Sequence, residues 1–461
     1  MLKRKAYERL LSWKRNRRGA TALLVEGARR VGKSTLVEDF GRREYASCLV
    51  IDFYQAPAEV KGYFEEYRTD FDTLFLYLSV YYGVTLHERD TLVVFDEVQT
   101  FPQARGLIKY LVADGRYDYI ETGSLLSIRQ NVADIVIPSE EEAFALDPLD
   151  FEEFLWGMGD EQLAQLIRRQ FELREPLPDA LHRRAMGLFR EYMLVGGMPQ
   201  AVSTYVEQRA FRPVDDVKRQ ILQVYRNDVA RFAHGQEFRV VGVLDGIPGQ
   251  LSKHEKRFVL SSLGKSARMR TYEEAFFWLS DARIANICFA CNDPAVGLAF
   301  NADRASLKCY LADTGLLVSL AFADGERTDE SVYRAVLRGD VGINEGMLAE
   351  NAVAQALRAN GHRLFFYSQN AKQPAAGEER SEADKRMEID FLIVEPYADA
   401  AGKPRVSPIE VKSSKRYTTT SLDRFKDKFG KRVGTRYVLH PGQMRERGDC
   451  VELPLYMAFC L

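Results

Sequence analysis

The sequence predicts an α/β fold: a doubly wound parallel sheet at the N-terminus, a helical stretch, and then a second, smaller α/β region. Three observations carry this. Short apolar runs alternate with helical spacing over the first 155 residues, the pattern of strands covered on both faces. A glycine-rich turn joins the first of these runs to a helix. Near the C-terminus, carboxylates recur on two strand-like runs that follow an apolar helix. At ~100–200 residues per domain, a chain of 461 residues holds two to four. The composition shifts divide it at 1–155, 156–235, 236–330 and 331–461.

Composition narrows the function classes. With 46% apolar and 28% charged residues, wholesale disorder is excluded. Lys and Arg number 64 against 66 Asp and Glu, a net charge of −2, which excludes a uniformly basic nucleic-acid coat but allows a local basic face. No apolar run reaches the ~18 residues of a membrane span, so no membrane partner is expected. Six scattered cysteines make no disulfide framework and suit a reducing cytoplasm. The basic start, MLKRKAYERLLSWKRNRR, lacks the apolar stretch a secretory signal needs. A short surface helix with Leu2, Leu10, Leu11 and Trp13 inward is the expectation. A transit peptide is the alternative on charge alone.

The first strand is expected at Thr21–Glu26. Gly27-Ala-Arg-Arg30-Val31-Gly32-Lys33-Ser34-Thr35 follows and fits G-x-x-x-x-G-K-[ST] between a strand and a helix. The spacing serves the chemistry. Glycines let backbone N–H groups curl around phosphate oxygens at a helix N-terminus. Lys33 reaches the β- and γ-phosphates, and the Ser34 hydroxyl suits Mg²⁺. ATP and Mg²⁺ are therefore the expected cofactors. Ser47–Phe53 is the second strand. Thr91–Phe95 is the third and ends in Asp96-Glu97. Asp96 suits a metal-side role, and Glu97 is placed to polarise an attacking water, as in a hydrolase. Tyr117–Glu121 leads into Thr122-Gly123-Ser124, where a polar tip such as Ser124 either senses the γ-phosphate or caps a helix. Ala143–Leu146 is the fifth strand candidate.

GARRVGKST, VVFDEVQ, ETGS and LDPLDFEEFL, in this order, resemble a prokaryotic branch of the AAA+ ATPases that carries a C-terminal domain of unknown function. The expected fold is a P-loop NTPase sheet with a helical lid, a winged-helix-like region and the C-terminal α/β domain, and the resemblance implies an oligomer. It also implies an arginine supplied by a neighbouring subunit. Arg226 and Arg231, on the amphipathic stretch Val217–Phe232, are the candidates, Arg231 foremost, against the plainer reading of a solvated helix face.

Between these regions, Leu163–Leu188 has helical spacing, and EYMLVGGMP (Glu191–Pro199) resembles the same family's GG-x-P signature, a tight turn or a coupling element. Ser266–Cys291 reads as a helix then a strand, with Tyr272, Ala275, Phe276 and Leu279 as the apolar stripe. It resembles a winged helix-turn-helix, in which Lys265, Arg268 and Arg270 face a phosphate backbone or the module binds protein. Cys288 and Cys291 have knuckle spacing but no second pair nearby, so zinc is not expected. In Lys308–Leu317 (KCYLADTGLL), Asp313 reads as a turn or cap residue.

The C-terminal region carries a helix with Glu345 and Glu350, a strand with Glu388-Ile-Asp390, and Pro408-Ile-Glu410-Val-Lys412. A helix glutamate, a strand aspartate and E-x-K resemble the PD-(D/E)XK nuclease superfamily. That pattern would let Asp390 and Glu410 hold Mg²⁺ with Glu350 assisting and Lys412 beside the metal, since i and i+2 share a strand face. Residues 405–436 hold ten Lys/Arg against three Asp/Glu, a basic flank suited to phosphates. The expected function is a Mg-dependent ATPase that binds or acts on DNA through this nuclease-like domain. The alternative is a regulatory ATPase switch whose nuclease-like domain is inactive and docks protein partners.

Overall fold

The structure is a computed structural model and describes residues 1–124, 139–253, 257–264, 268–322, 328–339, 345–370, 386–395 and 404–461. The chain forms two compact units. The first comprises residues 1–147 with the short return 281–283, and the second comprises 148–280 and 284–461. Strands within 285–311 and 365–454 share one sheet, and Cys291 and Leu298 pack in one core with residues of 365–450.

The first unit is a five-stranded sheet: β1 (Ala22–Glu26), β2 (Ser47–Asp52), β3 (Thr91–Asp96), β4 (Asp118–Gly123) and β5 (Glu141–Ala145). The spatial order is β2-β3-β4-β1-β5, and every pair is parallel. Alternate residues of each strand go to opposite layers. Leu24, Val93 and Phe95 pack with Phe53, Phe64 and Phe101 on one face. Leu23, Val25, Leu92 and Val94 pack with Leu36, Val37 and Phe40 on the other. This two-sided burial is why the strands read as unbroken apolar runs. The N-terminal helix, Ala6–Arg17, adds Leu10 and Trp13 to the second layer, while Leu2 and Leu11 are only partly covered.

The second unit opens with helices. Phe151–Gly157 begins in a capping box between Asp150 and Glu153. The stretch with helical spacing over 163–188 forms two helices, Glu161–Leu173 and Asp179–Val195, with Pro176 and Pro178 in the break. The long helix Phe211–Phe232 carries Arg226 and Arg231. Then comes an eight-stranded sheet: β6 (Ala285–Cys291), β7 (Ala302–Leu311), β8 (Phe365–Gln369), β9 (Met387–Glu395), β10 (Arg405–Val411), β11 (Arg436–His440), β12 (Arg445–Arg447) and β13 (Cys450–Pro454). Its order is β12-β13-β11-β10-β9-β8-β6-β7.

The winged-helix expectation is met only in its local parts. The helix Met269–Asp281 buries Tyr272, Ala275, Phe276 and Leu279, and β6 and β7 form an antiparallel hairpin. But β6 also pairs in parallel with β8, Phe289 opposite Phe365, so the hairpin is the end of the larger sheet. Lys265 lies outside the described residues, as does most of 373–386, a polar stretch whose sequence reads as a loop or hairpin tip. Among the described residues, no helix is long and apolar enough to cross a membrane.

Four sequence signatures of the second unit meet at one polar node. The helix Asp179–Val195 stops at Gly196, whose φ of 84° and ψ of −169° form a conformation essentially reserved for glycine. Gly197 donates its N–H to Asp313 Oδ2 at 2.5 Å, and its carbonyl accepts from Leu149 N at 2.7 Å. Asp313 also caps the helix Thr314–Ala321 through Leu316 N, at 2.8 Å. Gln355, on the helix Glu345–Ala359, accepts from both the N–H and the hydroxyl of Thr314 at 2.9 Å. The paired glycines and Asp313 therefore act as turn and cap, as their residue types imply.

Candidate functional site

The first site lies at the C-terminal ends of β1, β3 and β4. Gly32 takes φ 94° at the start of the helix Lys33–Glu44 and provides no side-chain cap there. Arg30, exposed, also has positive φ, at 68°. At Gly27 a Cβ would meet the Leu146 carbonyl oxygen at 2.6 Å, so the chain passes too close for any side chain. Val31 is fully buried beneath the loop and anchors it in the core, and Thr35 lies exposed in the first turn of the helix.

Lys33 is buried and its ammonium donates to the carbonyls of Gly27 (3.1 Å) and Ala28 (3.0 Å) and to Ser124 Oγ (3.2 Å). Ser34 Oγ donates to Asp96 Oδ1 at 2.8 Å. The Thr122 hydroxyl donates to the same oxygen. Thr122, at the end of β4, belongs to the Thr122-Gly123-Ser124 tip, but its bond to Asp96 was not expected from the sequence. Its signal was present: it stands two residues before Ser124, on the same strand face.

Glu97 directly follows β3 and takes the left-handed conformation, φ 52° and ψ 44°. For a non-glycine residue this is sparsely populated and costs about 1–3 kcal/mol. Its carboxylate accepts from Gln99 Nε2 at 2.5 Å, which fixes its direction. Bare glycine backbone at a helix start, one lysine, and a hydroxyl hydrogen-bonded to a carboxylate form a donor set that fits a nucleotide triphosphate and Mg²⁺. Arg231, exposed near the C-terminal end of its helix, lies over the Phe232 ring at 5.1 Å, whereas Arg226 pairs with Asp245 at 2.8 Å.

The second candidate lies in the C-terminal sheet. Glu410 and Lys412 share a face as their spacing requires, and pair at 2.7 Å. Burial pushes the Glu410 carboxyl up to about 7, against the pull of Lys412. Asp390 Oδ2 accepts from Val411 N at 2.9 Å, which ties β9 to β10. The expected metal role of Glu350, Asp390 and Glu410 meets a cation already in place. Lys308, on β7 and fully buried, lies 3.3 Å from Glu350 Oε1, 3.1 Å from Glu388 Oε1 and 3.3 Å from Asp390 Oδ1. The Tyr310 hydroxyl donates to Glu350 Oε1 from the same strand face. Among the described residues, no group of three or more His, Cys, Asp and Glu side chains is disposed to hold a metal ion. Lys308 was missed, although an isolated lysine inside the apolar run KCYL is itself a signal of a buried, paired charge.

The basic flank is also engaged. Lys426 pairs with Asp449, Arg432 with Asp293, and Arg436 with Asp423 and Asp449. Lys428 donates to the Tyr367 hydroxyl at 2.8 Å. Burial pushes the Cys288 thiol well up and that of Cys291 to about 11, which disfavours the thiolates.

Comparison with known proteins agrees with the first site. Residues 20–155 match the AAA domain family. Residues 186–327 and 345–457 match two domains of unknown function, DUF8612 and DUF4143. No curated protein matches. Among solved structures, a Walker-type ATPase of Pyrococcus abyssi aligns with TM-score 0.42 and 14% identity, covering 69% of this chain and 96% of that one. A signal transduction ATPase with numerous domains and a tetratricopeptide repeat sensor, from Pyrococcus horikoshii, aligns with TM-score 0.26 and 11% identity, covering 77% of this chain and 48% of that one.

Proposed function

We infer, from an AAA-type P-loop ATPase domain at residues 20–155, that this protein is a Mg-dependent ATP hydrolase that engages DNA through its C-terminal unit. The observation that carries the hydrolase reading is the convergence of Ser34 and Thr122 on one oxygen of Asp96, with Glu97 held beside it by Gln99. Bound Mg-ATP supplies an electrophilic phosphorus whose developing charge the site must neutralise. Lys33 exchanges its loop carbonyls for phosphate oxygens and acts as a point charge. Ser34 and Asp96 provide oxygens on the metal side. Glu97 orients the attacking water and accepts its proton. Ser124 steadies the Lys33 ammonium. An exposed Arg231 is the residue we assign to a neighbouring copy's site, as the resemblance to AAA+ proteins implies.

The DNA reading rests on the excess of cations over 405–436. A second reading has a specific observation in its favour: Lys308 stands among the carboxylates, and several flank cations are tied to local acids. In that reading the C-terminal unit docks protein, and ATP binding switches the contact. The deciding experiment measures Mg-dependent ATP hydrolysis with and without duplex, single-stranded and branched DNA at moderate salt. Stimulation by DNA supports the first reading. Turnover indifferent to every DNA rejects it and leaves the docking reading. No turnover at all, with the folded parent chain, refutes the hydrolase.

A further inference from the structure

The PD-(D/E)XK resemblance implies a divalent metal held by Glu350, Asp390 and Glu410, and the residues present do not fit one. We propose that the ammonium of Lys308 is the resident cation of this acid cluster and occupies the place a divalent metal would need. A lysine ammonium has three donors and no acceptor. Here three carboxylates, those of Glu350, Glu388 and Asp390, stand at 3.1–3.3 Å from Nζ, and the ammonium donates to Glu350 and Asp390.

The remaining approach to the ammonium itself is also closed. The Phe366 ring lies 5.2 Å from Nζ, within cation–π range, and Lys308 has no exposed surface. Glu350 and Asp390 have further donors of their own, the Tyr310 hydroxyl and the Val411 N–H. Glu410 is charge-paired with Lys412 at 2.7 Å, although its Oε2 accepts no hydrogen bond. Mg²⁺ demands about six oxygens at ~2.0–2.1 Å in near-ideal octahedral geometry. It would have to draw on the oxygens that hold the ammonium, at a separation where two cations repel strongly in a low-dielectric interior. Burial alone would push the Lys308 ammonium down, but the three carboxylates reverse this and hold it well above its ordinary value.

The cation comes from β7, outside the matched segment 345–457 to which Glu350, Asp390 and Glu410 belong. The E-x-K pattern survives in sequence, while the metal it would hold is replaced by a covalently attached charge. This inference is independent of ATP turnover in the first unit, which is assayed separately.

The test loads the nucleotide-free full chain with Fe²⁺ and ascorbate and maps local backbone cleavage by mass spectrometry. Mn²⁺ uptake is followed in parallel by paramagnetic resonance. For the parent we expect no cuts near 308, 350, 390 or 410. Cuts there would overturn the proposal, and this arm needs no variant. Lys308→Ala is expected to gain one Mn²⁺ per chain and cuts beside Asp390 and Glu410. Both should disappear in Lys308→Ala with Glu350→Gln and Asp390→Asn. A folded Lys308→Ala chain that gains neither would also overturn it.

Discussion

Gly197 gives the sharpest test of how the second unit is held together. A Cβ there would lie 2.0 Å from the Leu149 carbonyl oxygen and 2.7 Å from its nitrogen. Both are backbone atoms, so no rotamer change relieves the contact. Reaching an ordinary ~3.4 Å requires moving one chain segment by about 1.4 Å (3.4 − 2.0) relative to the other. Such a shift breaks three bonds: Leu149 N–H to the Gly197 carbonyl, Tyr192 hydroxyl to the Leu149 carbonyl, and Gly197 N–H to Asp313. At ~1 kcal/mol for each neutral bond and ~2 for the charged one, Gly197→Ala costs about 4 kcal/mol. Gly187 is the matched control. It sits inside the helix Asp179–Val195 with nothing within 4 Å of a built Cβ. Gly187→Ala should stabilise by ~0.5–1 kcal/mol through helix propensity. Hydrogen exchange with mass spectrometry is the assay, because a two-unit chain has no single unfolding free energy. About 4 kcal/mol corresponds to roughly 800-fold faster exchange in peptides covering 189–205 and 311–321, for ~1.36 kcal/mol per tenfold. If Gly197→Ala exchanges within threefold of the parent, the close approach does not carry the cost assigned to it.

The hydrolytic assignment predicts that Glu97→Gln keeps nucleotide binding, followed with a fluorescent ATP analogue, while phosphate release falls by ~10²–10⁴. Turnover within threefold of the parent would remove Glu97 from the mechanism. His440 sets a pH dependence. Burial holds its imidazole down at about 4, below its ordinary 6.5, and its Nδ1 accepts from the Gly442 N–H at 3.1 Å, which requires that nitrogen unprotonated. A pKa lowered on folding stabilises above the unfolded value and is lost as pH falls through the folded one. The second unit should therefore lose about 3 kcal/mol between pH 6.5 and pH 4, at ~1.36 kcal/mol per unit. His440→Gln should flatten that slope in the hydrogen-exchange protection of peptides around 436–454, corrected for the pH dependence of intrinsic exchange. An equally steep slope in the variant would place the proton elsewhere.

Much of the first unit was legible because parallel strands covered on both faces read as apolar runs, and the phosphate loop is contiguous in sequence. The five strands fall within a residue or two of their expected bounds. The pairing of Glu410 with Lys412 was legible for the same reason, since strand period 2 is local. Thr122 and Lys308 were not, because each acts on a residue that only the strand order brings near: Thr122 on Asp96 one strand away, Lys308 on Asp390 three strands away. The place of β6 in the larger sheet was not legible for a related reason. A helix followed by a two-stranded ribbon is the same local pattern whether it stands alone as a wing or ends a larger sheet, and only the parallel pairing of Phe289 with Phe365 distinguishes them.

That pairing bears on how the molecule can be taken apart. The two segments assigned to separate domains of unknown function, 186–327 and 345–457, contribute adjacent strands to one hydrogen-bonded ladder. A gene fragment beginning at 345 would encode β8 with one bare edge, open to pairing with any passing chain. It would also encode three carboxylates deprived of their lysine. Recombination between these segments would sever a sheet rather than exchange modules.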